Sequence, residues 1–194
     1  NDNPVVSLER GNVFHGGNFH GDYVSLEMDK IKLVITKLTM LAERQLNFIL
    51  NSKINGLFPP FLNTQTLGLN FGIQGMQFTA TSTTAESQML SNSMYVHSIS
   101  NNNDNQDIVS MGTNSAVITK KVIENGFQVM AIHMMSVCQA IDLLEETKKN
   151  KLSSKTKEIY AQIRAITPTI NEDVPQFEAI KNITNTLKQT TLNL

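Results

Sequence analysis

Between Asp22 and about Ser52 the chain contains neither glycine nor proline. Ile31, Ile35, Leu38, Ala42 and Ile49 follow at intervals of four, three, four and seven, and Val34, Leu41 and Phe48 recur every seven residues. This spacing predicts a long helix with two apolar faces. Pro59-Pro60 then forbids a helix, and Gly68 and Gly72 keep residues 53–72 irregular. A second helix is expected over 73–92. The third is the clearest: Ile123, Phe127, Met130, Met134, Val137, Ile141 and Leu144 alternate intervals of four and three, within a run from near Asp107 to Lys149. Two shorter helices follow, near 153–165 and 173–189, with Pro168 and Pro175 at their limits. Ahead of all this, Pro4, Gly11, Gly16, Gly17 and Gly21 mark a loop, a short strand or turn, and a second loop. No alternating pattern of any length and no internal repeat appears, so the expected class is all-α.

Length turns this pattern into an architecture. A third helix of about 40 residues is about 60 Å long at 1.5 Å per residue. A compact chain of 194 residues has a radius of gyration of about 16 Å. Such a helix overshoots the fold that contains it, and several of its faces are apolar. The expectation is an elongated helical bundle that assembles, most simply as a symmetric oligomer. Residues 1–149 would form the bundle with its loops, and residues 150–194 a C-terminal set of short helices.

Composition narrows the class without naming a chemistry. At 40% hydrophobic and 17% charged residues, the chain is ordinary for a globular protein. Its formal net charge of −1 offers no basic footprint for nucleic acid or an anionic membrane. The single Cys138 excludes an internal disulfide and a cysteine-based zinc site, and fits a reducing cytoplasm. No apolar run approaches the roughly 18 residues of a membrane span, and no signal peptide is visible. The chain begins Asn-Asp-Asn-Pro rather than with Met, as expected of a fragment or a processed product.

Most candidate sites have a plain structural reading. Met130, Met134 and Met135 read as core packing of a bundle rather than an adaptable groove. His133 has no second ligand at helical spacing. His15 and His20 flank Gly16-Gly17, but the spacing is wrong for a phosphate loop, and a tight turn suffices. Residues 53–72 make a connection long enough to suggest a functional loop. The stretch NNNDNQDIVSMG, residues 101–112, is harder to dismiss. Asn103 or Asp104 makes a good N-cap for the third helix, but one cap needs one such residue.

Five strings carry more than pattern: HGGNFHGD (15–22), AERQL (42–46), LFPPFLN (57–63), LGLNFGIQG (67–75) and NNDNQDIVSMG (102–112). In this order and spacing they resemble the aromatic amino-acid ammonia-lyases, which include the histidine, phenylalanine and tyrosine ammonia-lyases and related aminomutases. The resemblance runs from Asn1 to past Gln139, and within the family it points to bacterial tyrosine ammonia-lyases. It implies a mostly helical homotetramer and an electrophilic prosthetic group, 4-methylidene-imidazol-5-one (MIO), formed from an Ala-Ser-Gly tripeptide. That tripeptide does not occur in this sequence. The resemblance places it upstream, with the catalytic base and the arginine that grips the substrate carboxylate, and makes this chain the C-terminal two-fifths of such an enzyme. A cytoplasmic enzyme completed by that upstream part is implied.

Residue by residue, the resemblance implies that Asn102, Asn105 and Gln106 are substrate-facing amides that serve a neighbouring subunit's pocket. It makes Asp104 and Asp107 residues that hold the loop and cap the helix. Asn3 matches the asparagine near the electrophile, Phe19 the ring packed on the prosthetic group and substrate, and Gln74 a pocket-lining position that varies. The implied reaction is β-elimination of ammonia from an aromatic L-amino acid, most simply L-tyrosine to p-coumarate. A 2,3-aminomutase, a phenylalanine or histidine ammonia-lyase, and a non-catalytic helical subunit are the alternatives. Gln106 bears on that choice, because the family's histidine enzymes carry glutamate there. A carboxylate buried beside a neutral ring lacks a partner, whereas a glutamine needs only hydrogen bonds.

Overall fold

Three long helices carry the fold where the apolar spacing falls. The structure, a computed structural model, describes residues 3–17 and 19–189; Asn1, Asp2, Asn18 of the glycine-rich turn and residues 190–194 lie outside these. A two-stranded antiparallel hairpin, β1 (Val5–Ser7) with β2 (Asn12–Phe14), places Val6 opposite Val13. Helix α1 (Asp22–Leu50) follows, then the single turn α2 (Ser52–Asn55) and a 3-10 turn at Pro60–Leu62. Next come α3 (Gln74–Leu90), α4 (Gly112–Asp142), α5 (Glu146–Lys149), α6 (Ser154–Ile166) and α7 (Phe177–Lys188). Among the described residues, no helix is long and apolar enough to cross a membrane.

The fold is all-α, as expected, but the third long helix is shorter than its apolar pattern suggested. α4 has 31 residues, about 46 Å, instead of about 40 residues. At its front, residues 101–111 form a loop; at its back, Leu143 ends the helix, and Glu145 is extended (φ −60°, ψ 148°). The overshoot that length alone suggested is therefore modest. The stronger argument for assembly lies in which faces are buried.

α1 and α4 run side by side in the same direction. Thr119 Oγ1 lies 3.0 Å from the Met28 carbonyl, and a Cβ on Gly126 would approach Ile35 Cγ2 to 3.1 Å. α3 runs the other way, with Gln77 Nε2 3.2 Å from Asn47 Oδ1 at one end and Thr36 Oγ1 2.6 Å from Ser91 Oγ at the other. What they bury together is largely polar. On α1 the buried positions include Ser25, Asp29, Lys32, Thr36, Thr39 and Glu43; on α4 they include Ser115, Thr119, Val122 and Asn125. Val34, Leu41 and Phe48, the seven-residue stripe on α1, are more than half exposed, as is Leu38 of the other stripe, whereas Ala42 of that stripe is buried. Apart from the buried Ile141, the α4 stripe read from the sequence is half-buried, and its neighbours Val122, Val129, Ile132 and Met135 go inside. An apolar core does exist at the C-terminal end of α1. There Leu46, Leu50, Leu62, Ile73 and Met76 meet Val129, Ile132 and Met135, closed by Ile163, Ile180 and Ile183.

The polar seam centres on Asp29. Its Oδ1 accepts from Lys32 Nζ at 2.7 Å and Ser115 Oγ at 2.9 Å; its Oδ2 accepts from Ser93 Oγ at 2.7 Å and the Tyr95 N–H at 2.9 Å. Lys32, wholly buried at 0% exposure, also donates to the Asn92 carbonyl at 2.8 Å. Burial pushes the Asp29 carboxyl up, but Lys32, the Ser93 hydroxyl, the Tyr95 N–H and the Ser115 hydroxyl outweigh it. They hold the carboxyl well below the usual carboxylate range.

Replacing Asp29 by alanine leaves Lys32 charged and unpaired in the seam, and should cost about 3–5 kcal/mol of unfolding free energy in denaturant titrations. Because the folded carboxyl lies below its unfolded value of about 4, its contribution is fully present above that pH. It is lost only as pH falls through the lower folded value, so the wild-type protein and Asp29→Ala should converge only in strong acid.

Candidate active site

Two polar loops meet at the N-terminal end of α1. The first follows the hairpin. Asn3 Oδ1 accepts from the Gly16 N–H at 2.9 Å, and the Gly17 carbonyl accepts from the His20 N–H at 2.9 Å. The second spans residues 92–111, between α3 and α4. They join at three points. His20 Nε2 lies 3.2 Å from the Ile108 carbonyl, with His20 Nδ1 3.3 Å from Asp22 Oδ2. The Gly21 N–H donates to Ser110 Oγ at 3.1 Å, and a Cβ on Gly21 would stand 2.9 Å from that oxygen. A Cβ on Gly112 would stand 3.1 Å from the Gly21 carbonyl. Glycine at 21 and 112 therefore sets how closely the two loops approach.

The crowd of asparagines in the second loop has a backbone cause. Asn102, Asn103 and Asp104 all have positive φ, 55°, 55° and 60°. Asn and Asp are the non-glycine residues that tolerate this left-handed region best, because their short polar side chains bond locally. The turn closes through Asn101 N–H to Gln106 O (3.1 Å), Gln106 N–H to Asn101 O (3.4 Å) and Asn105 N–H to Asn102 O (3.2 Å). Ser100 Oγ donates to Asp104 Oδ1 at 2.8 Å, and Ser98 Oγ accepts from the Val109 N–H at 2.8 Å. The N-cap role expected of Asn103 or Asp104, and of Asp107, is not what these side chains do. α4 starts later, its N-cap is Met111 without a side-chain bond, and Asp107 Oδ1 accepts instead from the Ile108 N–H at 2.9 Å. Asp104 does hold the loop.

The result is a rigid turn that presents amides outward. Asn102, Asn105 and Gln106 are exposed, and among the described residues their side-chain amides have no hydrogen-bond partner in the chain. Phe19, on the adjoining loop, is 55% exposed. Asn3, Phe19, Asn102, Asn105 and Gln106 thus share one end of the bundle. Gln74 does not. It opens α3, whose first turns lie beside Asn47 at the far end of α1. Between Asp22 and Asn47 α1 rises about 38 Å, so one chain cannot place Gln74 and the amide turn at one substrate.

The sequence of the chain matches the model of the aromatic amino acid lyases over residues 1–165. The chain belongs to the aromatic amino acid lyase family. It is 33% identical to a tyrosine ammonia-lyase of Cupriavidus metallidurans over 97% of this chain and 35% of that protein. It is 35% identical to histidine ammonia-lyase 1 of Fusobacterium nucleatum over 91% of this chain and 34% of that protein. The fold superposes on the crystal structure of a tyrosine aminomutase from Streptomyces globisporus with a TM-score of 0.91 at 33% identity, covering 97% of this chain and 35% of that one. The chain therefore spans about a third of the length of the lyase relatives it matches. Identity does not separate the three activities, so the choice among them rests on site residues.

Several residues that shape this loop cluster gave no signal in the sequence. Asp29 and Lys32 have the spacing of a surface pair on a helix, yet they anchor residues 92–95 at the root of the amide loop. Ser98, Ser100 and Ser110 look like ordinary loop serines. Gly21 is next to last in one of the family-like strings, and Ser110 and Gly112 stand near the end of another, which is the available hint.

Replacing Asn103 by valine should strain the turn by about 1–2 kcal/mol, whereas glycine should leave it intact. Amide exchange reads the difference: the Asn105 and Gln106 N–H groups should exchange faster in the valine variant alone.

Proposed function

We propose that this chain supplies the substrate-positioning part of an enzyme that eliminates ammonia from an aromatic L-amino acid, L-tyrosine to p-coumarate. The observation that carries the reading is the amide turn: three neutral amides without a hydrogen-bond partner in the chain, on a turn with three successive positive φ values, at the same end of the bundle as the exposed Phe19. Fixed neutral dipoles orient a substrate's amine, carboxylate or phenol without reorganising during reaction and without adding a charge. In the elimination the Cα–N bond breaks, a base takes a Cβ proton, and that C–H electron pair forms the arylacrylate double bond. The residues of this chain orient; the base and the electrophile come from the remainder of the enzyme.

The amide turn also suits MIO. An uncharged carbonyl-bearing ring is matched by neutral amide donors and a phenyl face, and this end of the chain offers both. Asn3 and Phe19 would hold it. When bound, the group supplies an electrophilic carbon for the substrate amine. Gln106 directs the reading toward tyrosine or phenylalanine and away from histidine, since it offers hydrogen bonds to a neutral ring and no carboxylate to pair with an imidazole. A 2,3-aminomutase is the second reading, favoured by the Streptomyces globisporus enzyme's likeness to this chain.

The separation of Gln74 from the amide turn, together with the outward apolar face of α1, supports a homotetramer whose pockets draw on more than one copy. Intracellular catalysis in the cytoplasm goes with this reading.

Three outcomes are expected of the full-length protein. Incubated with L-tyrosine it should release ammonia and p-coumarate; accumulation of β-tyrosine instead would favour the mutase, and histidine turning over fastest would refute the role given to Gln106. Gln106→Glu should lower kcat/KM for tyrosine at least tenfold, about 1.4 kcal/mol in transition-state stabilisation. Two variants, each inactivated at one end, Gln74 or Gln106, should regain part of the activity when co-expressed, since mixed assemblies contain pockets with both residues intact.

A further inference from the structure

Asp173 lies beyond the residues that match the family model, and it reaches back 102 residues to the segment that launches α3. Its Oδ2 accepts from the Phe71 N–H at 2.8 Å and its Oδ1 from the Gly72 N–H at 3.1 Å. Two successive backbone donors on one carboxylate form a charge-assisted clamp with defined geometry. The other side of the segment is held as well. The Ile73 N–H donates to the Phe61 carbonyl at 3.0 Å, and Asn63 Nδ2 donates to the Asn70 carbonyl at 2.8 Å. Gly72 has φ +56°, and a Cβ there would meet the Phe61 carbonyl oxygen at 2.8 Å. The partner turn is itself strained, since Phe61 and Leu62 hold φ of 56° and 52°, a conformation that bulky residues adopt only when their surroundings impose it. One residue past this double clamp, Gln74 begins α3, its N–H bonded to the Phe71 carbonyl at 3.1 Å.

Asp173 is delivered by an equally fixed segment. Gln139, fully buried on α4, exchanges two bonds with Ile170, Nε2 to the carbonyl and the N–H to Oε1, both 2.9 Å. Asp142 accepts from Thr169 Oγ1 at 2.8 Å, from Arg164 Nη2 at 2.6 Å and from the Tyr160 hydroxyl. Arg164 further donates to the Thr167 and Pro168 carbonyls at 3.2 and 3.1 Å. The end of α4 thus anchors residues 167–170, and three residues later Asp173 meets the Phe71-Gly72 backbone.

We propose that Asp173 is a positioning residue of the substrate pocket: its carboxylate fixes the Phe71-Gly72 backbone and through it the placement of Gln74. The inference rests on the reading above that Gln74 faces substrate. It makes the C-terminal segment part of the site's scaffold rather than an appendage of the bundle.

The test uses the full-length protein carrying Asp173→Asn, Gln74→Ala, or both. Asparagine keeps the shape but turns one acceptor into a donor, so one of the two clamp bonds is lost. Peptides covering residues 64–73 should exchange amide hydrogens at least tenfold faster in Asp173→Asn, while peptides from α1 and α4 exchange as before. kcat/KM for tyrosine should fall at least tenfold in Asp173→Asn and in Gln74→Ala, and the double variant should lose no more than the worse single variant. Unchanged exchange over 64–73 overturns the proposal, as do losses that multiply in the double variant. If Gln74→Ala is impaired and Asp173→Asn is not, the positioning role alone fails. If Gln74→Ala has wild-type kinetics, Gln74 leaves the pocket and both readings fall together.

Discussion

A carboxylate and an ammonium group, buried against each other between α1 and the root of the amide loop, govern much of this molecule. Asp29 fills its acceptor sites with Lys32, Ser93, the Tyr95 N–H and Ser115, and so ties α1, α4 and the incoming loop to one point. A buried ion pair is weak evidence for stability, because desolvation consumes most of the Coulombic gain. Its effect here is directional. Shifting either helix by one turn would strand a charge in the interior, and hydrophobic side chains would not impose that penalty. The two loops that meet beyond it, at Gly21, Ser110 and Gly112, inherit their register from the same contact.

This arrangement inverts the usual division of a helix. Along α1 from Ser25 to Glu43 most buried positions are polar, and the apolar Val34, Leu38 and Leu41 face outward. Exposed apolar area of that continuity is what the proposed homotetramer would cover. Meanwhile the amide turn and the start of α3 sit at opposite ends. The two observations are independent, one concerning solvation and the other reach, and both support the proposed shared pocket.

Periodicity was enough to locate the long helices, since runs without glycine or proline and with apolar intervals of three and four have one economical conformation. It could not tell which face would be buried. The stripe at Ile123, Phe127 and Met130 is apolar whether it faces this chain or another, and Ser115, Thr119 and Asn125 look like solvent positions until their bonding partners are known. The start of α4 was misplaced for a different reason. Asn and Asp suit an N-cap and suit left-handed backbone equally well, so the string at 101–107 fits both, and three consecutive positive φ values decide between them. The candidate residues themselves were legible only through the family resemblance, Asn3 from the Asp-Asn-Pro start and the others from the five strings. Asp173 belongs to none of these, and a carboxylate that meets backbone from a hundred residues away leaves no pattern.

α1 has one further consequence: it is a ruler. The amide turn is fixed to its first turn and Gln74 to its last, so the distance between them is the number of intervening residues times about 1.5 Å. Each residue also rotates the helix by about 100°. A one-residue insertion would therefore displace one end along the axis and swing it to another face of the bundle, misaligning both ends even if every side chain were conserved. A length change is accommodated only in steps that restore the rotation, about seven residues for two turns, and each step would move the ends apart by about 10 Å. The loops at either end are under no such restriction, so changes in length are cheap there and costly in the rod between them.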